Sequence, residues 1–369
     1  MTIIAGVPID QGIITAKPGT RFGPRAIRAA SLAPRGVLAA NVEHIWVDVD
    51  TGVALRLKDR LDLLDIGDFD IDPTDIMKTT AGVVTGVEAI VMRGGLPVVL
   101  GGDHYIAYPC FEGFVRGMGE RKESLRVGYL HIDTHSDFRF EYGPLGRYNH
   151  ATSARRVSEN RAASYRNMAW LGLNGSVLDA EMYRTFKREQ LKIVTAKMIR
   201  ELGAGVAVRQ VMERVADGVD AVYVTIDIDV VNGSEARGTG APVFAGIEAR
   251  TFQEIMEALS TFDIIRAIDL CEVAPDLDPA GTTADLAVAG LLALLERRLF
   301  ARVDPGVGDS DRHARCPAHL ASQRGSVTRS RRSRPRIGGE CRRAHRVRKN
   351  CSAKSSFAVT DAQLLQAPA

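Results

Sequence analysis

The run Val222-Tyr223-Val224-Thr225-Ile226, which leads into Asp227, indicates the fold class of this 369-residue chain. Its side chains lack the polar alternation of a half-exposed strand. A strand that is apolar on both faces belongs in a parallel sheet with helices on either side. About eight such runs lie in the first 300 residues: Thr2 to Val7, Leu63 to Ile66, Pro97 to Leu100, Arg126 to Asp133, Met168 to Leu173, Leu191 to Val194, Ala221 to Asp227 and Ile264 to Leu270.

Stretches with helical periodicity lie between these runs. They include Ala81 to Met92, Gly205 to Ala216, Thr251 to Leu259 and a final one from Thr283 to Leu299. Alternating strands and helices, joined by right-handed crossovers, predict a single three-layer α/β/α domain with a mostly parallel sheet of about eight strands. A hydrophobic content of 45% is ample for the core of such a domain.

Side chains that can bind metal follow three of the apolar runs. Residues two apart share one face of an extended chain, and ligands in open α/β sheets collect at the carboxyl ends of the strands. The sequence therefore predicts a site for two metal ions. Its six candidate ligands are His104, Asp133, His135, Asp137, Asp227 and Asp229.

The ligand types indicate the metal and the reaction. Four carboxylates and two imidazoles without a thiolate form an oxygen-rich set that suits Mn²⁺, with Ni²⁺ or Zn²⁺ as alternatives. Two divalent cations held roughly 3.5 to 4 Å apart can activate water at neutral pH. Hydrolysis is therefore the predicted reaction class, and a redox role is unexpected.

Each group also has a simpler interpretation. Aspartates after strands commonly cap helix N-termini, and the pair Gly101-Gly102 is typical of a tight turn. His131 lies on a core strand and is interpreted as a packed histidine rather than a ligand. The occurrence of three groups at three strand ends favours a metal site more than any one group does.

Residues 301–369 differ in kind from the rest of the chain. They carry a net charge of +10, against −7 for residues 1–300, and they are rich in Arg, Ser and Pro. We therefore predict a catalytic domain at 1–300 and a basic tail at 301–369 that is too polar to fold. The tail is interpreted as a disordered extension, an arm for an acidic partner, or the product of a shifted reading frame. Nucleic acid is a poor candidate partner because Phe357 is the only aromatic residue in the tail.

Targeting signals and cysteine usage favour a cytoplasmic protein. No apolar run approaches the roughly 20 residues that cross a bilayer, and the N-terminus lacks a signal peptide. No membrane partner is expected. The five cysteines form no recognisable disulfide framework, which agrees with a reducing compartment.

With these residues in place, the chain resembles the ureohydrolase family over roughly residues 1 to 300. This family contains arginases, agmatinases, guanidinobutyrases and related amidinohydrolases, and the agmatinase and guanidinobutyrase types are closest in pattern. Besides the three metal-binding groups, the matching motifs are Gly6 to Asp10, Lys17 to Pro24, Asp65 to Asp68, Gly238 to Pro242 and Glu272 to Pro275.

The resemblance implies an arginase-like fold and the hydrolysis of a guanidino compound to urea and an amine by a hydroxide that bridges two Mn²⁺ ions. It assigns catalytic roles to Asp137, to His150 as a proton relay that titrates near neutrality, and to Glu272 as the carboxylate that binds the guanidinium. It also implies a homo-oligomer, a trimer or hexamer. The implied ligands are His104, Asp133, Asp137 and Asp227 for one ion and Asp133, His135, Asp227 and Asp229 for the other.

Some positions depart from the family pattern. Ala151 replaces a glycine after His150, Gly233 replaces a proline, and Val243-Phe244 stands where agmatinases tend to carry an acid. These changes predict altered loops and an apolar wall that suits a substrate less cationic than agmatine. The substrate stays open among a guanidino acid, agmatine and an alkylguanidine. Two alternatives also stay open: a weakly active or non-catalytic subunit of a hetero-oligomer, and a hydrolase that releases formamide from a formimino group.

Overall fold

The strands of the protein form two sheets. The computed structural model describes residues 1–32, 45–58, 62–119, 124–175 and 178–304. The strands in these residues are β1 Thr2–Val7, β2 Ile45–Val47, β3 Ala54–Leu57, β4 Leu63–Asp68, β5 Leu96–Gly101, β6 Val127–Ile132, β7 Met168–Leu171, β8 Lys192–Val194, β9 Ala221–Asp227, β10 Ile265–Cys271 and β11 Phe300–Val303.

Eight of these strands form the main sheet, in the order β4-β1-β5-β10-β9-β6-β7-β8. Every neighbouring pair in it is parallel. All eight strands predicted from the apolar runs are present, and they agree with the predicted bounds to within a few residues. The predicted fold class is therefore confirmed.

Helices cover both faces of the main sheet. They are α1 Gly23–Ser31, α2 Ile76–Met92, α3 Ala107–Gly119, α4 Ser153–Ser158, α5 Ala180–Arg188, α6 Ala196–Leu202, α7 Ala204–Val215, α8 Ala249–Leu259, α9 Thr282–Leu294 and α10 Glu296–Leu299. In β9, Val222, Val224 and Ile226 pack in one buried cluster with α7, α8 and α9, whereas Tyr223 packs in the other with α2 and α3. A wholly apolar strand is therefore buried on both sides, as the sequence predicted.

Two predicted helices differ from the observed ones for local reasons. α2 begins at Ile76 rather than Ala81, because the Asp75 carboxylate accepts hydrogen bonds from the N–H groups of Met77 and Lys78 and caps the helix. The last predicted helix is divided near Leu295 into α9 and α10.

The second sheet was not predicted. It is antiparallel, in the order β11-β3-β2, and β11 runs to Val303, past the expected domain boundary at residue 300. Residues 305–369, with most of the predicted tail and its cysteines, lie outside the described residues. Cys110 and Cys271 are buried free thiols. Among the helices that the structure describes, none has the length and apolarity that a membrane crossing requires.

The position of β11 predicts where the chain can be shortened. A chain that ends at Asp304 keeps the β11–β3 pairing and should unfold within a few degrees of the full-length protein. A chain that ends at Leu299 loses the pairing of Phe300 with Leu57 and of Arg302 with Leu55 and should unfold several degrees lower. Thermal unfolding followed by circular dichroism compares the two. Equal melting temperatures for the two shortened chains would contradict the stabilising role of β11.

Candidate metal centre

The candidate ligands and Glu272 come from four strands at the centre of the main sheet. In the sheet order, β5, β10, β9 and β6 are neighbours. Just beyond or at their carboxyl ends lie His104, Glu272, Asp227 and Asp133, one from each strand. Because the four strands are parallel, these side chains meet at one edge of the sheet.

A close approach between two backbone segments positions His104. A Cβ atom on Gly102 would lie 2.1 Å from the carbonyl oxygen of Ile9, so only glycine fits there. Neither Gly101 nor Gly102 has a positive φ, so the close approach of the backbone, and not a left-handed conformation, accounts for the glycine at 102. Asp103 then caps the short 3-10 helix His104–Ile106 through the N–H of Tyr105.

Two turns of the same kind bring the aspartate pairs together. Asp133 Oδ1 accepts a hydrogen bond from the N–H of His135 at 2.5 Å, and Asp227 Oδ1 accepts one from the N–H of Asp229 at 2.8 Å. The side chains therefore converge through turns, not along an extended chain as the two-residue spacing suggested. The capping interpretation holds for Asp227, which caps the short 3-10 helix Ile228–Val230. It is compatible with a metal site, because in both turns Oδ1 accepts the backbone hydrogen bond and Oδ2 faces the cluster.

Three carboxylate oxygens surround one imidazole nitrogen. His104 Nδ1 lies 3.0 Å from Asp133 Oδ2, 3.0 Å from Asp137 Oδ2 and 3.1 Å from Asp227 Oδ2. It is buried and has no hydrogen-bond partner. A proton on Nδ1 could be donated to one of the three oxygens, whereas a divalent cation would satisfy all four atoms at once.

A relay on the other side of the ring fixes which nitrogen of His104 carries the proton. Thr225 Oγ1 donates to Asp269 Oδ1 at 2.5 Å and lies 2.9 Å from His104 Nε2. Because the hydroxyl proton goes to Asp269, Thr225 Oγ1 must accept a hydrogen bond from Nε2–H. In the neutral form of the ring, which is the form that binds a metal ion, Nδ1 therefore presents a lone pair to the three carboxylates. Such a donor set fits a bound metal ion.

A second donor group adjoins the first. His135 Nδ1 lies 3.0 Å from Asp229 Oδ2 and 3.6 Å from Asp133 Oδ1. Asp229 Oδ1 is buried without a hydrogen-bond partner, which is a second atom suited to a cation. Asp133 thus offers one oxygen to each group, as a bridging ligand would.

The buried carboxylates need nearby positive charge to be stable in their ionised form. Burial raises the pKa of Asp227 well above its usual range, and the charges of Asp229 and Asp133 add to the shift. Burial also raises the pKa of Asp229 to about 7. Among the described residues, the ion pairs of these three carboxylates are all with histidines and none is with Lys or Arg. Divalent cations would supply the missing charge.

Glu272 and His150 lie next to this cluster. Glu272 Oε1 accepts hydrogen bonds from the backbone N–H of His104 at 2.8 Å and from His150 Nδ1 at 3.1 Å. Burial lowers the pKa of His150, but the Glu272 carboxylate outweighs it and raises the pKa to about 9. The N–H of Ile14 approaches His150 Nε2 at 3.3 Å and opposes protonation only weakly, because the bond is long. The contact with Glu272 therefore shifts the pKa of His150 above the near-neutral value expected from the sequence.

Two site residues adopt a backbone conformation that is rare for residues other than glycine. The φ angles of Asp137 and Glu272 are 46° and 65°. Such conformations cost roughly 1 to 3 kcal/mol each and persist where the surrounding structure enforces them. In Glu272 the backbone N–H donates to the carbonyl of Gly102, and the carbonyl of Asp137 accepts from the N–H of Arg155. These backbone contacts hold both residues in the strained conformation.

The cluster opens into a cleft of about 350 Å³. Its walls include His135, Asp137, Asp227, Asp229, Glu272 and His150, together with Ile14, Thr15, Arg139, Tyr142 and Ala241. The cleft is large enough for a small organic molecule to reach the candidate ligands.

Comparison with known proteins agrees with this geometry. A family model described as the arginase family matches residues 1–295. The chain belongs to the arginase family. Members of this family are amidinohydrolases, which act on carbon–nitrogen bonds other than peptide bonds.

Three relatives in the arginase family are similar to this chain over most of its length. A guanidinobutyrase of Pseudomonas aeruginosa is 30% identical over 291 residues, which cover 79% of this chain and 84% of the relative. The mitochondrial agmatinase of Gallus gallus is also 30% identical, over 79% of this chain and 78% of its own. The structure of proclavaminate amidinohydrolase from Streptomyces clavuligerus has a TM-score of 0.67 and 26% identity, and covers 80% of this chain and 91% of that one.

The departures from the family pattern have mild structural effects. Ala151 lies in the 3-10 helix His150–Thr152 without a positive φ, so the alanine fits without strain. Phe244 is 88% exposed and is not among the residues lining the cleft, so the expected apolar wall is wrong. Ala241 occupies the cleft wall instead.

Several residues of this arginase-family site were missed or set aside. His131 is packed on its strand as expected, but its Nε2 also lies 3.0 Å from Asp133 Oδ2 and orients that carboxylate. Thr225 and Asp269 lie in predicted strands and were assigned no role from the sequence. Their polar character within apolar runs was the signal, because a buried polar side chain needs a partner.

The relay through Thr225 predicts a measurable effect on metal binding. Thr225→Val removes the acceptor of His104 Nε2–H and leaves the ring orientation unfixed, so affinity for Mn²⁺ should fall roughly 10- to 100-fold. Thr225→Ser keeps the hydroxyl and should bind nearly as well as the natural protein. Competition with a fluorescent chelator measures the Mn²⁺ affinity of both variants. Unchanged affinity in Thr225→Val would show that the relay does not position His104.

Proposed function

We propose that this arginase-family protein is a metal-dependent hydrolase that cleaves a guanidino compound to urea and an amine. Two Mn²⁺ ions, with Ni²⁺ or Zn²⁺ as alternatives, would be held by the six candidate ligands in the two sets that the family resemblance implies. The observation that carries the proposal is the position of His104 Nδ1, within 3.1 Å of three carboxylate oxygens and beside a cleft that also contains Glu272.

The reaction suits a site of this kind. A guanidinium carbon is a poor electrophile because its charge is delocalised, and bound divalent cations would supply a nucleophile from water at neutral pH. The oxygen of one water molecule becomes the carbonyl oxygen of urea, the bond from the guanidinium carbon to the substituted nitrogen breaks, and that nitrogen leaves as an amine.

Glu272 is suited to bind the guanidinium. Its two hydrogen bonds go to Oε1, which leaves Oε2 to accept from the substrate. Its buried position makes a charge-assisted hydrogen bond strong and directional. Held in this way, the guanidinium carbon would face the candidate ligands, and part of the barrier would be removed by orientation.

Asp137 and His150 are suited to move protons. Asp137 lines the cleft and would accept a proton from the attacking water. When a guanidinium binds Glu272, its positive charge lies near protonated His150 and competes for the same carboxylate. The pKa of His150 would then fall, and the ring would donate its proton more readily to the leaving amine.

A panel of guanidines tests the proposed function. Protein loaded with Mn²⁺ should release urea, in equal amount to the amine, from at least one of a guanidino acid, agmatine or an alkylguanidine. Release of formamide from a formimino substrate, without urea from any guanidine, would favour the formimino hydrolase. Bound metal without turnover on any member of the panel would favour a non-catalytic subunit.

The role of His150 predicts a second result. His150→Ala should keep its metal, because His150 is not among the candidate ligands, but should lower kcat by roughly 10²- to 10⁴-fold. In the free protein His150 has a pKa of about 9, so the ring is protonated at lower pH and neutral at higher pH. The kcat/KM of the natural protein should therefore fall above about pH 9, and this limb should vanish in the variant. Added imidazole should restore part of the rate. Metal loss or full activity in His150→Ala would contradict the assigned role.

The remaining expectations stay predictions. These are a homo-oligomer, either a trimer or a hexamer, and a cytoplasmic location.

A further inference from the structure

We infer that the substrate is a guanidino acid and that Arg139 binds its carboxylate. This inference rests on the proposed function and specifies its substrate class. Arg139 follows Asp137 by two residues and lines the same cleft as Glu272. Its backbone N–H donates to the carbonyl of Ala151 at 3.1 Å, which fixes this segment against the loop that carries His150.

The guanidinium of Arg139 is held in place but retains free donors. Nη1 donates to Asp179 Oδ2 at 3.0 Å, and the group stacks on Tyr142, with Cζ 4.7 Å from the ring centroid. A guanidinium has five N–H donors, so one bond to Asp179 leaves enough for a two-point contact with a carboxylate. The side chain is about one-third exposed, so a ligand in the cleft can reach it.

Asp179 does not neutralise Arg139 fully. Its Oδ1 caps α5 by accepting from the N–H groups of Glu181 and Met182, at 3.0 and 2.8 Å. The positive end of this helix and Arg139 therefore share one negative charge. The arrangement positions the arginine without removing its attraction for a second anion.

The charges along the cleft wall distinguish a guanidino acid from agmatine. Among the lining residues that the structure describes, the carboxylates are the candidate metal ligands and Glu272, and Arg139 is the lone Lys or Arg. The wall therefore offers no further carboxylate to the distal ammonium of agmatine, and Arg139 would repel it. A distal carboxylate would instead form an ion pair with Arg139.

Three substrates that differ in the charge of the tail test this inference: 4-guanidinobutyrate, butylguanidine and agmatine. The natural protein should have the highest kcat/KM with the acid and the lowest with agmatine. Arg139→Gln should lower kcat/KM for the acid roughly 10- to 100-fold, chiefly through KM, because the contact is remote from the reacting carbon. The kcat/KM for butylguanidine should change less than about threefold, within the range of a weak surface effect. Arg139→Glu should favour agmatine over the acid.

Two control variants distinguish substrate binding by Arg139 from a purely structural role of this side chain. Arg166→Gln removes another exposed arginine, which pairs with Asp217 away from the cleft, and should leave all three rates unchanged. Asp179→Asn keeps a side-chain cap for α5 but frees Arg139, so it should retain or improve turnover of the acid. If Asp179→Asn instead reproduced the loss in Arg139→Gln, the arginine would act only through its pair with Asp179, and the inference would be overturned.

The failure of this inference is distinct from the failure of the proposed function. Preference of the natural protein for agmatine, or an equal loss with all three substrates in Arg139→Gln, overturns the inference while urea release still supports the function. No urea from any guanidine overturns the function itself.

Discussion

The structure of the site depends on four electron-rich atoms that face one point in the protein interior. His104 Nδ1 and one oxygen each from Asp133, Asp137 and Asp227 lie close together, and the Thr225 hydroxyl binds the proton of the ring on its other side. Burying like charges and lone pairs in this way is unfavourable unless a cation balances them. The arrangement is therefore costly as a purely structural feature and useful as a metal-binding one.

The fold makes this arrangement reachable from distant parts of the chain. Parallel strands carry their carboxyl ends to the same edge, and the ends of three central strands, β5, β6 and β9, contribute these side chains. Turns at Asp133 and Asp227 then direct one oxygen of each carboxylate to the backbone and the other to the cluster. The sheet sets the approximate positions, and the turns and the strained backbone of Asp137 and Glu272 set the final directions.

The sequence predicted the parts of the molecule that follow from local pattern. Mostly apolar runs such as Ala221–Asp227 located the eight strands of the main sheet, and metal-binding residue types at strand ends located the cluster. The short strands β2 and β3 form a local antiparallel pair that the search for apolar runs missed. β11 pairs with β3 from the far end of the domain, and no local pattern reveals such a long-range pairing. The raised pKa of His150 and the pairing of Arg139 with Asp179 likewise arise from contacts between distant segments, so they required the structure.

The presence and spacing of bound cations test the central claim most directly. Crystals grown with Mn²⁺ and measured on both sides of the manganese absorption edge reveal the ions by anomalous scattering. We predict two peaks roughly 3.5 to 4 Å apart, one beside His104 and the other beside His135. A single peak, or none at these side chains in active protein, would contradict the account.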